Sequence, residues 1–291
     1  DTGGSIRFPC AANGLVGLKA TYGRVSRRGA FPLAESLDHI GPMTRTVADT
    51  ARLFGVLAGH DPRDANSVDV PVPDCESGLG AGVVGMRIGI DRDHIAAGVD
   101  PHVRAAVETA ADALADAGAQ IVECRMPDAG LLVEGWAITA AVEAALAHDE
   151  RFPARRARFG PVLTALLDLG HRSTALDYAG LERTREHYRR ALDLLLADLD
   201  AVLLPAMPFR VPEAAVMESG ERPVDEADPI TFTAPSDYSG HPALTLPAGV
   251  DEAGLPLSFQ LVGRFFDEAR LLRIGAAWER ARGPMPLPPG L

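Results

Sequence analysis

The chain has 291 residues, 47% of them hydrophobic and 23% charged, with a net charge of −12; this is the composition of an ordinary globular protein, long enough for one large domain or two small ones. The acidic balance, without blocks of like charge, gives a nucleic-acid partner no electrostatic support. No uninterrupted apolar run is long enough to cross a bilayer, and the first residues do not read as a signal peptide, so no membrane association is expected.

Residues 1–32 are rich in glycine and short apolar steps and read as loops and turns around one short helix. TVADTARLFGVLAG (46–59) predicts a helix, capped by Thr46 with Asp49 three residues on and closed by Gly59. The following stretch, 60–82, is dense in Pro, Gly, Asp and Ser and reads as a surface loop. MRIGI (86–90) predicts a strand, and Asp100–Pro101 opens a helix that Gly118 ends. AQIVECRM (119–126) then returns as a strand. Such a strand–helix–strand unit predicts an α/β sheet with parallel neighbours.

Further on, 131–148 and 181–199 predict helices, and AVLLPAMP (201–208) a buried strand ending at a proline break. The loop at 209–230 is long enough to line a pocket, and reads equally as an exposed insertion. HPALTLPAGV and LPLSFQLVG flank DEAG (251–254) as paired strands, and 267–282 closes the chain as a helix with Asp267 near its start.

Two residue counts bear on chemistry. Three cysteines, Cys10, Cys75 and Cys124, lie far apart with no CxxC spacing, which argues against a disulfide framework or a zinc site and predicts a cytoplasmic protein. Among 28 Lys and Arg residues only one is lysine, Lys19.

The opening residues, DTGGSIRFP, pose the chemical question. Consecutive glycines let successive N–H groups point into one concavity, and a serine directly after them sets its hydroxyl beside those donors. Acyl transfer needs that arrangement, a nucleophilic oxygen with N–H groups aimed at the oxyanion. Four residues alone read more readily as a glycine turn with a solvated serine. Neither the P-loop pattern nor the nucleophile elbow G-x-S-x-G fits.

Read with its surroundings, the motif gains context. DTGGSIRFPCAANGLVGLKATYGRVSRRG and SLDHIGPMTRTVADTARLFGVLAGHDPRD, then TAPSDYSGHPALTLPAG and LPLSFQLVGRFFDEARLLRIGAAWE, closely resemble the amidase signature family. The resemblance covers 1–64 and 231–282 in the right order, around a variable middle at 65–230 within one domain. It implies an amidase signature fold, a mixed β-sheet packed between α-helices. It implies hydrolysis of a small carboxylic amide through a Ser–Ser–Lys triad without cofactor or metal, with Ser5 as the acylated nucleophile. The oxyanion hole would be formed by the N–H groups of Thr2, Gly3 and Gly4.

The family's bridging serine and base lysine lie in earlier segments that this sequence does not contain. Arginine cannot replace the base because its guanidinium stays protonated, and Lys19 sits in GLKATYGR, which the family uses structurally. The chain is therefore expected to be the C-terminal portion of such an enzyme, catalytically inactive by itself. SLDHIGPM is more similar to stand-alone amidases than to the amidotransferase subunit that acts on charged glutamyl-tRNA(Gln), which releases ammonia from glutamine and tends to carry Gln at the position of His39. That amidotransferase role is the alternative reading. The oligomeric state is left open.

Other residues receive structural roles. Asp1 and Arg7 flank the serine and are expected to brace the glycine loop by hydrogen bonds or an ion pair. Eight histidines show no metal-ligand spacing, so none is expected to hold a metal. His39 and His241 are expected to be packed or hydrogen-bonded, Cys10 to be a small buried residue, and Trp136 to be a core aromatic rather than an acyl-pocket wall. Ala20 and Phe265 stand where the family commonly has Pro, a change in local stiffness.

Overall fold

The capped segments form helices in the computed structural model, which describes residues 1–215 and 227–286. In chain order the elements begin with α1 (Arg7–Asn13), β1 (Val16–Lys19), β2 (Met43–Thr44), α2 (Val47–Leu57), β3 (Arg87–Ile90) and α3 (Arg92–Ala96). Next come α4 (Pro101–Asp116), β4 (Gln120–Glu123), α5 (Gly130–His148), α6 (Phe152–Arg155), α7 (Pro161–Arg172) and α8 (Ala175–Leu196). The last are β5 (Ala201–Pro205), α9 (Ala234–Ser239), β6 (Ala243–Val250), β7 (Pro256–Val262) and α10 (Glu268–Arg282).

Local chemistry explains the helix starts. The Thr46 side chain accepts from Asp49 N at the head of α2, and Asp100 accepts from His102 N with Pro101 in the first turn of α4. Thr174 and Asp177 form a reciprocal capping box on α8, which begins at Ala175, ahead of the predicted 181. Asp267 leads α10 without a capping bond and instead takes Arg270 Nε at 2.6 Å.

Seven strands make one mixed sheet in the order β2-β1-β6-β7-β5-β3-β4. β3, with α4 and β4, is the predicted strand–helix–strand unit, parallel in register Ile88↔Ile121, and β5 joins β3 in parallel on its other side. β6 and β7 pair antiparallel through the 251–254 turn. Alternation along this central pair separates the two faces of the sheet. Leu244 and Leu246 lie under Gly275 of α10, and Phe259 meets Trp278 edge-on at 5.3 Å. Gln260, between them in parity, faces α1.

The glycine-rich opening departs from its reading as loops around one helix, because it also contains β1. Only four residues long, β1 has pairing partners distant in sequence, Thr245 to Ala243 of β6 and Thr44 to Met43 of β2. Gly17 is required there: a Cβ would lie 2.5 Å from Cys10 Sγ of α1. Residues 60–82 carry no helix or strand. Of the 209–230 loop, 216–226 lie outside the described residues. α5 is long and apolar enough to cross a membrane by length and composition; here it packs against α7 and α8, and its Glu143 accepts from Ser36 Oγ and Tyr178 Oη.

Candidate active site

The turn at 1–6 is tied together by its own first side chain. Asp1 Oδ2 accepts from the N–H groups of Ile6 and Arg7 at 3.0 and 3.2 Å, and so caps the chain as it enters α1. Arg7 is fully buried and returns the contact, Nε to Oδ2 at 3.1 Å and Nη2 to Oδ1 at 2.9 Å. Its remaining donors reach Asp237 Oδ2 at 2.7 Å, Ser236 Oγ at 2.6 Å and Gln260 Oε1 at 3.2 Å. A guanidinium sealed in the interior thereby has every donor answered, as a buried charge requires. Burial raises the pKa of Asp237, against the pull of Arg7 and Lys19.

The carbonyls of the glycine turn point inward to fixed donors. Trp136 Nε1 donates to Thr2 O at 3.0 Å, Thr233 Oγ1 to Gly3 O at 2.5 Å, and Phe8 N to Gly4 O at 2.7 Å. Thr2 Oγ1 donates to Asp38 at 2.6 Å. Gly4 has φ +147, and a Cβ there would lie 2.9 Å from the Phe8 ring; one on Gly3 would lie 2.9 Å from the Trp136 indole. Both glycines are therefore dictated by close packing, and Gly4 also by its backbone conformation. Among the described residues, the N–H groups of Thr2, Gly3, Gly4 and Ser5 donate to no protein group, and Ser5 Oγ makes no hydrogen bond. Ser5 is exposed, whereas Thr2, Gly3 and Gly4 are buried. A cleft of about 530 Å³ opens beside the turn, lined in part by Asp1, Thr2, Arg28, Phe31, Asp38 and His39.

Lys19 lies beneath this region, fully buried. Its Nζ donates to His241 O at 2.7 Å and is 3.2 Å from His39 Nε2. Burial, with a further contribution from Arg7, lowers its pKa to about 7, against the opposing pull of Asp237 and Glu268. His39 is lowered well below the usual imidazole range, chiefly by burial and then by Lys19. His241, packed on Phe265 with centroids 4.1 Å apart, is lowered to about 3, again mainly by burial. Phe265 thus packs over a buried histidine. Cys10 is buried, with its thiol pushed up to about 12. No cluster of three or more metal-ligating side chains occurs among the described residues.

Sequence reading picked out Asp1–Arg7 as a unit but not the groups that complete it, Thr233, Ser236, Asp237 and Gln260. One signal was available: Gln260 is a lone polar residue in the apolar run LSFQLVG, and a buried polar side chain in a central strand needs a partner.

Residues 1–272 match the family described as Amidase. The chain is 38% identical over 284 residues to the putative amidase AmiD of Mycobacterium tuberculosis, covering 97% of this chain and 59% of that protein. It is 39% identical over 308 residues to a glutamyl-tRNA(Gln) amidotransferase subunit from Myxococcus xanthus, covering 96% and 62%. Among solved structures, the same subunit from Thermotoga maritima superposes with a TM-score of 0.83 at 30% identity, covering 99% of this chain and 64% of that one. The crystal structure of an amidase superposes at 0.81 with 33% identity, covering 97% and 62%. The chain spans about three fifths of the length of these relatives.

Proposed function

The chain belongs to the amidase signature family, and from that premise we propose that it carries the nucleophile and oxyanion hole of a serine amidase acting on a small carboxylic amide. Ser5 Oγ attacks the amide carbonyl, the oxyanion of the tetrahedral intermediate is received by N–H groups of Thr2, Gly3 and Gly4, the C–N bond breaks as the hydroxyl proton passes to the leaving nitrogen, and water hydrolyses the acyl-serine to the carboxylic acid and free Ser5. The supporting observation is the polarity of the turn. All three carbonyls are bound to interior donors, Trp136, Thr233 and Phe8, while the matching N–H groups have no protein acceptor among the described residues beside an exposed serine. Donors fixed before the charge develops cost no reorganisation when it does.

The base is not assigned to Lys19, whose amine is occupied by His39 and His241 and makes no hydrogen bond to Ser5. The 291-residue chain by itself is therefore expected to turn over no amide. Labelling with a fluorophosphonate tests the nucleophile. In the complete gene product the probe is expected on Ser5 and lost in Ser5→Ala; label that survives this substitution rejects the assignment.

The 39% identity to an amidotransferase component supports a second reading, release of ammonia from glutamine for a partner protein. It requires glutaminase activity and co-purifying partner chains, and finding neither rejects it.

A further inference from the structure

Lys19 is the only lysine in the chain, and its contacts run toward the nucleophile turn without reaching Ser5. The ring of His39 is fixed from two sides. Its Nδ1 lies 2.6 Å from Leu37 O and must carry the proton, which makes Nε2 the acceptor for Lys19. The main chain of His39 in turn exchanges two hydrogen bonds with Asp1: His39 N–H to Asp1 O and the Asp1 α-amino group to His39 O, both 2.8 Å. Asp1 then holds the N–H groups of Ile6 and Arg7 through its carboxylate. Every link in this series is buried or nearly so.

We infer that Lys19 is a positioning residue for the nucleophile turn: its amine orients His39, His39 clamps the main chain of Asp1, and Asp1 sets the turn that presents Ser5. The catalytic meaning of this role rests on Ser5 being the nucleophile, but the mechanical linkage does not.

Valence explains why an amine suits the position. Two acceptors lie within hydrogen-bond distance of Nζ, the His241 carbonyl and His39 Nε2. A neutral amine has two N–H groups and satisfies both, whereas an ammonium carries a third with no acceptor among the described residues. The groups facing Lys19 and His39 are Arg7 on α1, Asp237 on α9, Glu268 on α10, the α-amino group of Asp1, itself lowered mainly by burial, and His241 on its flanking segment. Both histidines stay neutral when Lys19 titrates, because burial and the lysine itself hold them low. Protonating Lys19 therefore alters the contact with His39 without a compensating change in the ring.

In protein grown on ¹³C-lysine, the side-chain Cε resonance that disappears in Lys19→Arg is assigned to Lys19, and its titration is followed beside the backbone amides of Ile6, Arg7 and His39. The expected result is a lysine step in the neutral range, with those three amides shifting at the same midpoint. In Lys19→Arg, which stays charged, the shared step vanishes. In Lys19→Met, amide exchange at Ile6 and His39 is expected to quicken at least ten-fold while Leu261 and Val262 in the sheet keep their rates. A lysine that stays charged to pH 10, or one that titrates while the three amides stay still, overturns the inference, and the wild-type titration decides even where a variant fails to fold. None of these readouts needs Ser5 chemistry. Fluorophosphonate labelling that bypasses Ser5 would reject the nucleophile and leave the linkage standing; a missing shared step would do the reverse.

Discussion

The carboxylate of Asp1 and the guanidinium of Arg7, six residues apart on either side of Ser5, form a two-point ion pair whose side chains are wholly sealed from solvent. Arg7 extends the pair to Asp237, so one cation answers two buried carboxylates. Removing it leaves both buried carboxylates without their ion-pair partner. Arg7→Met is expected to lower stability by about 3–5 kcal/mol, the cost of breaking a buried ion pair from one side. Urea unfolding checks this, and a loss below about 1 kcal/mol would show that the network does not carry the turn.

Gly4 and Gly29 provide a matched pair for separating sterics from backbone strain. Both have positive φ, +147 and +92, but a Cβ on Gly29 meets nothing within 4 Å while one on Gly4 meets Phe8 and Thr233 at 2.9 and 3.0 Å. Gly29→Ala is expected to cost about 1 kcal/mol from backbone conformation alone. Gly4→Ala should cost at least twice as much and displace the Gly3–Gly4 amides, as denaturation midpoints and amide shifts will report. Equal losses at the two sites would mean that the turn yields without strain.

Stability should depend on pH through Lys19. Its pKa is about 7 in the folded chain, against 10.5 for an unperturbed lysine. Below pH 7 the amine is protonated in both states, and the full penalty of burying the charge is present. Between about 7 and 10.5 the unfolded chain binds the extra proton, so this group makes stability rise with pH, by up to about 1.4 kcal/mol per pH unit. Lys19→Met removes that slope. Chemical denaturation at pH 6, 7.5 and 9 measures it, and an unchanged slope in the variant would refute the linkage.

Trp136 supplies the donor for the Thr2 carbonyl from α5, more than a hundred residues away in sequence. Trp136→Phe keeps the ring under Gly3 but strands a largely buried acceptor, at an expected cost of about 1–2 kcal/mol. The same variant should slow fluorophosphonate labelling of Ser5 in the complete gene product, since the Thr2–Gly3 peptide loses its anchor. Loss of stability with an unchanged labelling rate would make the indole a packing element only.

How much of this was legible in advance can be judged residue by residue. Thr46, Asp100 and Gly118 announced their helix boundaries, because caps act through neighbours a few positions away. The β6–β7 hairpin was equally local, with its turn residues lying between its strands. β1 escaped notice because its pairing energy comes from β6, more than two hundred residues on, and its Gly17 reads as a loop signal until Cys10 is seen against it.

The candidate site divides along the same line. By itself the sequence determined the order of its parts: two glycines ahead of Ser5, an acid and a base flanking them, and one lysine among 28 cations. Only the tertiary structure decided that Arg7 meets Asp237 and Gln260, and that Lys19, placed by its segment among structural residues, abuts His39 behind the turn. The physical reason is range. Caps and turns are satisfied within a few residues, whereas a buried charge must find partners wherever the fold brings them, here across more than two hundred residues of chain.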